Sequence, residues 1–344
     1  MRVVRYAVLA AACTLSSHSP LHSQALDAAQ VLAAAREALG GEKNLTSVKT
    51  FTVTGRTRQI RGNNLVPIEF EISCELPDKF ARRDEIPAQD TDPTVTGFNR
   101  DDLILFPRPP PGPGRSGGAP AAPAGRAAEA PPPNAGRGGA PSAEGRGRRG
   151  PPLDPTQQRL VTIKQDFARL MLGMFAASFP SYPLTFKYAA QGEAPEGKAD
   201  LLDVTGPGNF TARLVVQRDT HLPVMLMWQV PATNVVVRIL GQPLPDPVPP
   251  GAVIVEAPAP PANNASQQDR DQYATTVADL RRQALVQAKP VEYRMYYADF
   301  RDVNGLKWPF RIRRAIAGET TEETTFDRIR INAKIDPRKF EVPK

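Results

Sequence analysis

The side chains that could do chemistry are few and scattered. Of the three histidines, His18 and His22 fall in a stretch that reads as an export leader, so His221 stands alone in the turn Asp219-Thr220-His221-Leu222-Pro223. The two cysteines are Cys13, in the same leader, and Cys74. One histidine and one cysteine cannot make a common zinc site, and one remaining thiol has no intramolecular disulfide partner. Cys74 lies in the alternating run Phe70-Glu71-Ile72-Ser73-Cys74, which makes it a small buried or half-buried strand residue rather than a reactive thiol. Asp299, Asp302 and Asp327 have the right chemistry for an acid–base pair, but they fall in turns and at strand edges, where carboxylates face water. Gly112-x-Gly114-x-x-Gly117 matches a dinucleotide fingerprint by letter alone: no strand precedes it, no helix follows, and Pro111 and Pro113 flank its first glycine. The inventory predicts no catalytic residues, no metal, no cofactor, and hence no enzyme.

What the sequence offers instead is apolar spacing. The stretch Leu201 to Trp228 alternates apolar and polar residues between turns at Gly206-Pro207-Gly208 and at Asp219 to Pro223. This is the period of antiparallel strands with one dry face. Lys49 to Arg58, Val66 to Glu75 and Val291 to Phe300 alternate in the same way, and Phe80 to Ile86, Leu103 to Phe106, Val235 to Ile239, Trp308 to Arg313 and Thr324 to Ile331 read as further strands, giving about ten. A dry face must be covered or must leave a groove for something apolar. The inward positions on this reading are Phe51, Val53, Phe70, Ile72, Leu214, Val216, Val224, Leu226 and Trp228. Phe167, Met171 and Met174 join them from a helix over Thr156 to Ser178. These twelve are the candidate contacts for an apolar ligand, and equally the filling of a closed core.

Two other helices follow from spacing and stops. Leu26 to Leu39 is Ala/Leu-rich, opens on Asp27 as N-cap and ends at Gly40-Gly41. Gln267 to Ala288 is polar and ends before Pro290, as a surface helix would. Residues 1–25 read as a secretory signal: Arg2 and Arg5, an apolar run from Tyr6 to Leu15, then Ser23-Gln24-Ala25. Cys13 as a lipidated first residue is the weaker alternative, because Ala10-Ala11-Ala12 lacks the usual leucine. Removing Arg2 and Arg5 takes the formal charge from +7 to +5. Segment 107–152 carries seven arginines and two glutamates, which is the whole of that excess, so no basic face is left for nucleic acid. The same segment holds 13 Pro and 11 Gly in 46 residues and is expected to be disordered. The domain reading is therefore 26–106 plus 153–344 as one unit, interrupted by 107–152 and by a Pro-rich loop and surface helix over 243–290.

The order of these parts resembles the LolA/LolB-like family of periplasmic outer-membrane lipoprotein-sorting proteins. The residues that carry the likeness are Ala38 to Gly41, Asp219 to Pro223, Tyr297-Ala298-Asp299-Phe300-Arg301-Asp302-Val303-Asn304-Gly305-Leu306-Lys307-Trp308-Pro309, and Ile329-Arg330-Ile331-Asn332 followed by Ile335-Asp336 and Phe340 to Pro343. The resemblance implies an α+β fold: a strongly curved antiparallel sheet, or incomplete β-barrel, with helices covering its concave side. It also implies an interior that takes acyl chains. The expectation is a monomeric periplasmic carrier or binding module for a lipid or lipoprotein acyl chain, without nucleic acid as a partner. The alternative is an envelope sensor or interaction module with the same fold and a filled core, working through a protein partner.

Overall fold

The computed structural model describes residues 27–107, 154–194 and 197–341. Residues 1–25, read as a leader, and the Pro/Gly/Arg tract over 108–152 lie outside them. In chain order come α1 (Ala28–Ala38), α2 (Glu42–Ser47), β1 (Thr50–Arg61), β2 (Asn64–Glu75), β3 (Lys79–Glu85), β4 (Thr94–Asn99) and β5 (Asp102–Phe106). Then follow α3 (Pro155–Phe175), β6 (Thr185–Ala194), β7 (Gly197–Gly206), β8 (Phe210–Gln217), β9 (Pro223–Val230), β10 (Val235–Ile239), β11 (Val253–Ala257) and α4 (Gln267–Gln287). Strands β12 (Val291–Val303), β13 (Leu306–Ile316) and β14 (Glu319–Ile331) and a short 3-10 turn (Pro337–Phe340) complete the described chain.

Twelve strands form one open antiparallel sheet in the order β5-β4-β3-β2-β1-β14-β13-β12-β9-β8-β7-β6. The fold is α+β, with a strongly curved sheet not closed into a barrel. The reading of about ten strands missed β4 and β6, the strands next to or at the two edges, and β11. An edge strand needs only one dry face and one partner, so its alternation is weak: β6 reads mostly exposed. β11 lies in the segment read as a Pro-rich loop and pairs in parallel with β10 as a separate two-stranded sheet, Val235 opposite Val253. Polar α4, with no buried residue, packs against that pair. Residues 231–290 thus sit between two strands that are direct neighbours, since Val230 pairs with Val291.

One core fills part of the concave face. Phe51, Val53, Ile72, Phe80, Phe98, Trp308 and Ile329 supply it from the sheet, Val31, Ala35 and Leu39 from α1, and Phe167, Met171, Leu172, Met174 and Phe175 from α3. Aromatic rings run through it edge to face, with Phe98–Phe167 at 5.3 Å and Phe175–Trp308 at 5.4 Å between centroids. α1 ends against the β12–β13 hairpin: Lys307 N–H donates to the Leu39 carbonyl at 2.9 Å. A Cβ on Gly40 would stand 2.4 Å from the Gly305 carbonyl oxygen, which is why glycine occupies that stop. At the other end of the chain Asn332 accepts from Lys49 N–H at 2.7 Å and donates to the Ser47 carbonyl at 3.1 Å. The residues that carry the family likeness therefore act as clamps between helix, hairpin and sheet.

α3 joins the two edges of the sheet, because β5 precedes it and β6 follows it. Asp154 caps its start and Ala176 stops it in the left-handed conformation. Its closest approach to the sheet is at Gly173. There the Tyr297 ring lies flat enough against the helix that a Cβ would meet Cε1 at 2.3 Å. The Tyr297 hydroxyl donates to the Arg169 carbonyl at 2.6 Å, so the ring cannot step aside freely. Gly173→Ala should therefore cost about 1–3 kcal/mol of stability, as overpacking does. In a Tyr297→Phe background, where the ring is released from its tether, the same change should cost measurably less, as read from urea unfolding of the four proteins.

Candidate functional site

Along five strands the inward side chains change character at the same level of the sheet. In β1, Phe51 and Val53 give way to Thr57 and Gln59; in β3, Phe80 to Arg82 and Asp84; in β4, Phe98 to Thr96 and Thr94. In β13, Trp308 and Ile312 give way to Arg314, and in β14 Ile329 and Phe326 to Thr324 and Glu322. The register brings these ends together: Thr57 is opposite Thr324, Arg82 opposite Thr96, and Arg314 opposite Glu322. α3 fills the apolar half. The other half is a cavity of about 390 Å³ between the sheet and the Ile163–Asp166–Leu170 side of α3. Its wall mixes apolar Ile68, Ile72, Phe80, Met295, Ile312 and Phe326 with the charged and hydroxyl groups just named.

Those polar groups form a chain across the sheet. Arg82 Nε donates to Asp84 at 2.8 Å and Nη2 to the Thr57 hydroxyl at 3.3 Å. The Thr57 and Thr324 hydroxyls bond each other at 2.8 Å in a buried setting, and Thr324 reaches Glu322 at 3.2 Å. The Arg82 guanidinium also stacks 4.6 Å from the Phe70 ring. From α3, Asp166 accepts from Arg169 Nη1 at 2.9 Å. Arg169 is buried over the rings of Trp228 and Phe210, at 4.5 and 5.2 Å. Burial pulls the Arg169 pKa below its ordinary value, opposed by Asp166 and reinforced by nearby Arg314. For Arg314, burial is outweighed by the carboxylates of Glu322, Asp166 and Asp84, and its pKa rises. Both guanidiniums are thus cationic at neutral pH.

Of the twelve candidate contacts, only Ile72 lines this cavity. Phe51, Val53, Phe70, Phe167, Met171, Met174, Leu214, Val216 and Leu226 are buried in the common core, and Trp228 packs against it from its edge. Val224 falls on the opposite face, in a small outer cluster with Ala199, Val215 and Met225. The reason is a bulge: Val215 pairs with Met225 but Val216 with Pro223, which leaves Val224 as the extra residue. A slip of one residue turns a side chain to the other face, so the alternation Val224-Leu226-Trp228 misassigns its first member. Sequence reasoning missed Thr57, Arg82, Asp84, Arg314 and Glu322. The signal for them was present, as a polar residue in phase with an apolar run, such as Trp308-x-Phe310-x-Ile312-x-Arg314.

The dispersed candidates for chemistry stay dispersed. Asp299 pairs with Arg301 and Asp327 with Arg56, while Asp302 accepts from the Gly305 N–H. His221 is exposed in its turn, and Cys74 is buried, with its thiol pKa pushed up by that burial. Among the described residues no cluster of three or more His, Cys, Asp or Glu could hold a metal ion, and no helix is long and apolar enough to cross a membrane.

Fold and site define an α+β protein whose open, curved sheet holds a helix and, beside it, one amphipathic cavity. No protein-family model and no curated protein matches the sequence. Three solved structures share its outline. A LolA superfamily protein from Nitrosomonas europaea is 10% identical, with 92% of this chain and 98% of that one covered and a TM-score of 0.43. A DUF1329 family protein from Desulfovibrio piger is 7% identical over 90% and 95%, with a TM-score of 0.37. A domain from Vibrio parahaemolyticus, provisionally named for outer membrane lipoprotein sorting, is 6% identical over 90% and 95%, with a TM-score of 0.39. The chain resembles these proteins in the course of its backbone, and likeness at this level carries no function across.

The polar chain makes a testable energetic claim. Thr324→Val leaves Thr57 and Glu322 each short of a partner, and should cost about 1–2 kcal/mol. Adding Thr57→Val removes the second hydroxyl of the buried pair, so the double variant should lose less than the sum of the singles. Denaturant midpoints of the four proteins would give the coupling directly.

Proposed function

We propose that the protein is a non-enzymatic binding module of the cell envelope, which holds part of a lipid or of a lipoprotein acyl chain in the concave cavity. The observation that carries this is the cavity's two-sided lining. Apolar side chains from β2, β12, β13, β14 and α3 form one part of its wall, and charged pairs from β3, β13 and β14 form the other. An amphiphile is the ligand class that satisfies both. The volume of about 390 Å³ lies in the range of small-molecule sites, roughly 300–1,000 Å³. Each methylene buried there is worth about 0.8 kcal/mol, so a few carbons suffice for useful affinity. The envelope location rests on the leader-like residues 1–25.

A second reading has its own observation. Phe167, Met171 and Met174 already occupy the apolar half of the concave face, as in an interaction module whose groove is filled from within. Mass spectrometry of the solvent-extracted, purified protein separates the two. Binding predicts a co-purifying amphiphile and uptake of an environment-sensitive fluorescent lipid. Leu170→Glu, which puts a charge on the cavity wall, should weaken that uptake by roughly tenfold or more, equivalent to about 1.4 kcal/mol. Ile254→Glu, on exposed β11, should leave it unchanged. A ligand-free protein that ignores the probe would assign the fold to the interaction module.

A further inference from the structure

Within the cavity the donors and acceptors do not balance. Asp84 accepts from Arg82 at 2.8 Å, Asp166 from Arg169 at 2.9 Å, and Glu322 from the Thr324 hydroxyl at 3.2 Å. Arg314 is different. Its Nε, like that of Arg169 outside the cavity lining, is buried without a hydrogen-bond partner among the described residues, and Glu322 Oε1 stands 3.7 Å away, at ion-pair distance without a hydrogen bond. The side chain is 34% exposed, and it lines the cavity. In the sheet it is opposite Met295 of β12 and Glu322 of β14, and the Asp166 carboxylate of α3 adds to the negative charge that favours its cationic form. A guanidinium presents five donors in a rigid fork suited to carboxylate or phosphate oxygens. Here the residue that carries the fork lines the cavity, with apolar Ile312 and Met295 beside it.

We propose that Arg314 binds the head of the cavity's ligand, and that this head is a single oxyanion, a carboxylate or a phosphodiester. The inference rests on the amphiphile reading and adds the charge of the ligand to it. The limit to one negative charge comes from the wall itself. The wall sets Arg82 and Arg314 against Asp84, Asp92, Asp166 and Glu322, an excess of carboxylates, so an anionic head is held only by direct contact with Arg314, and each charge beyond the one it pairs adds repulsion. Arg82 is not a second anchor, since Asp84 and Thr57 already use its donors on both sides.

The test compares three ligands of one chain length by isothermal titration below their micelle concentrations: a fatty acid, a lysophosphatidylglycerol and the neutral monoacylglycerol. The wild-type protein should bind at least one of the two anions about tenfold tighter than the neutral lipid, the difference one charge-assisted contact makes. The preference between carboxylate and phosphodiester then identifies the source of the oxyanion. Arg314→Met should abolish the preference for an anion while keeping affinity for the neutral lipid, and Arg314→Lys should retain part of it. Should Arg314→Met fail to fold, the wild-type comparison and the lysine variant still decide. Equal binding of all three lipids by the wild type overturns the role of Arg314 and leaves the amphiphile reading standing. Binding of none of them overturns both.

Discussion

A single helix has to cover most of a very wide sheet, and that mismatch shapes the molecule. Twelve strands at about 4.8 Å spacing would span roughly 55 Å if laid flat. A helix of α3's length reaches only about 30 Å at 1.5 Å per residue. α3 nevertheless packs against β4 and β5 near one edge and against β13 and β9 in the other half of the sheet. The sheet can satisfy it only by bending, and open sheets beyond about ten strands curl in any case. The bend brings Phe98 and Trp308, five strands apart, within reach of rings on the same helix. Gly173 and Tyr297 set how deep the helix can sink.

Curvature also explains why part of the concave face stays open. One helix fills one level of a bent trough; the next level needs another occupant or a polar lining. This chain supplies the lining, from Thr57, Arg82, Asp84, Arg314, Thr324 and Glu322. Charged pairs placed this way are a poor source of stability, because desolvation offsets most of their attraction, and well-packed apolar residues would serve as well or better. Their presence at one level of five strands is therefore better understood as a property of the site than as scaffolding.

Much of the architecture was legible in the sequence, and the limits were physical. Period-two alternation located the central strands because both their neighbours and their dry face constrain them. It failed at β4 and β6, near or at the edges, where one of those constraints is weak, and at β11, hidden among prolines. The helix over Thr156 to Ser178 was plain from its stripe of large apolar residues. The site was less legible, for two reasons. Apolar in-phase residues such as Phe51 and Leu214 signal a core and a groove equally well, and here they form the core. The cavity residues are polar and thinly spaced, and only their cross-strand register, Thr57 with Thr324 and Arg314 with Glu322, reveals them as one group. Val224 shows the third limit, since a bulge leaves no mark on an alternating run.

The pairing of Val230 with Val291 has a further implication for how such a chain can diversify. Two strands that meet directly need only a short reverse turn to join them, so everything from 231 to 290 is, topologically, an overgrown hairpin loop. Lengthening such a loop adds only about 0.6 kcal/mol of closure entropy per doubling. Recombination could trim, enlarge or swap this appendage while the frame around it kept its register. α3 itself, whose apolar side chains are part of the core, enjoys no such freedom, and lineages built on this plan would be expected to vary in the appendage and to hold fast in the helix.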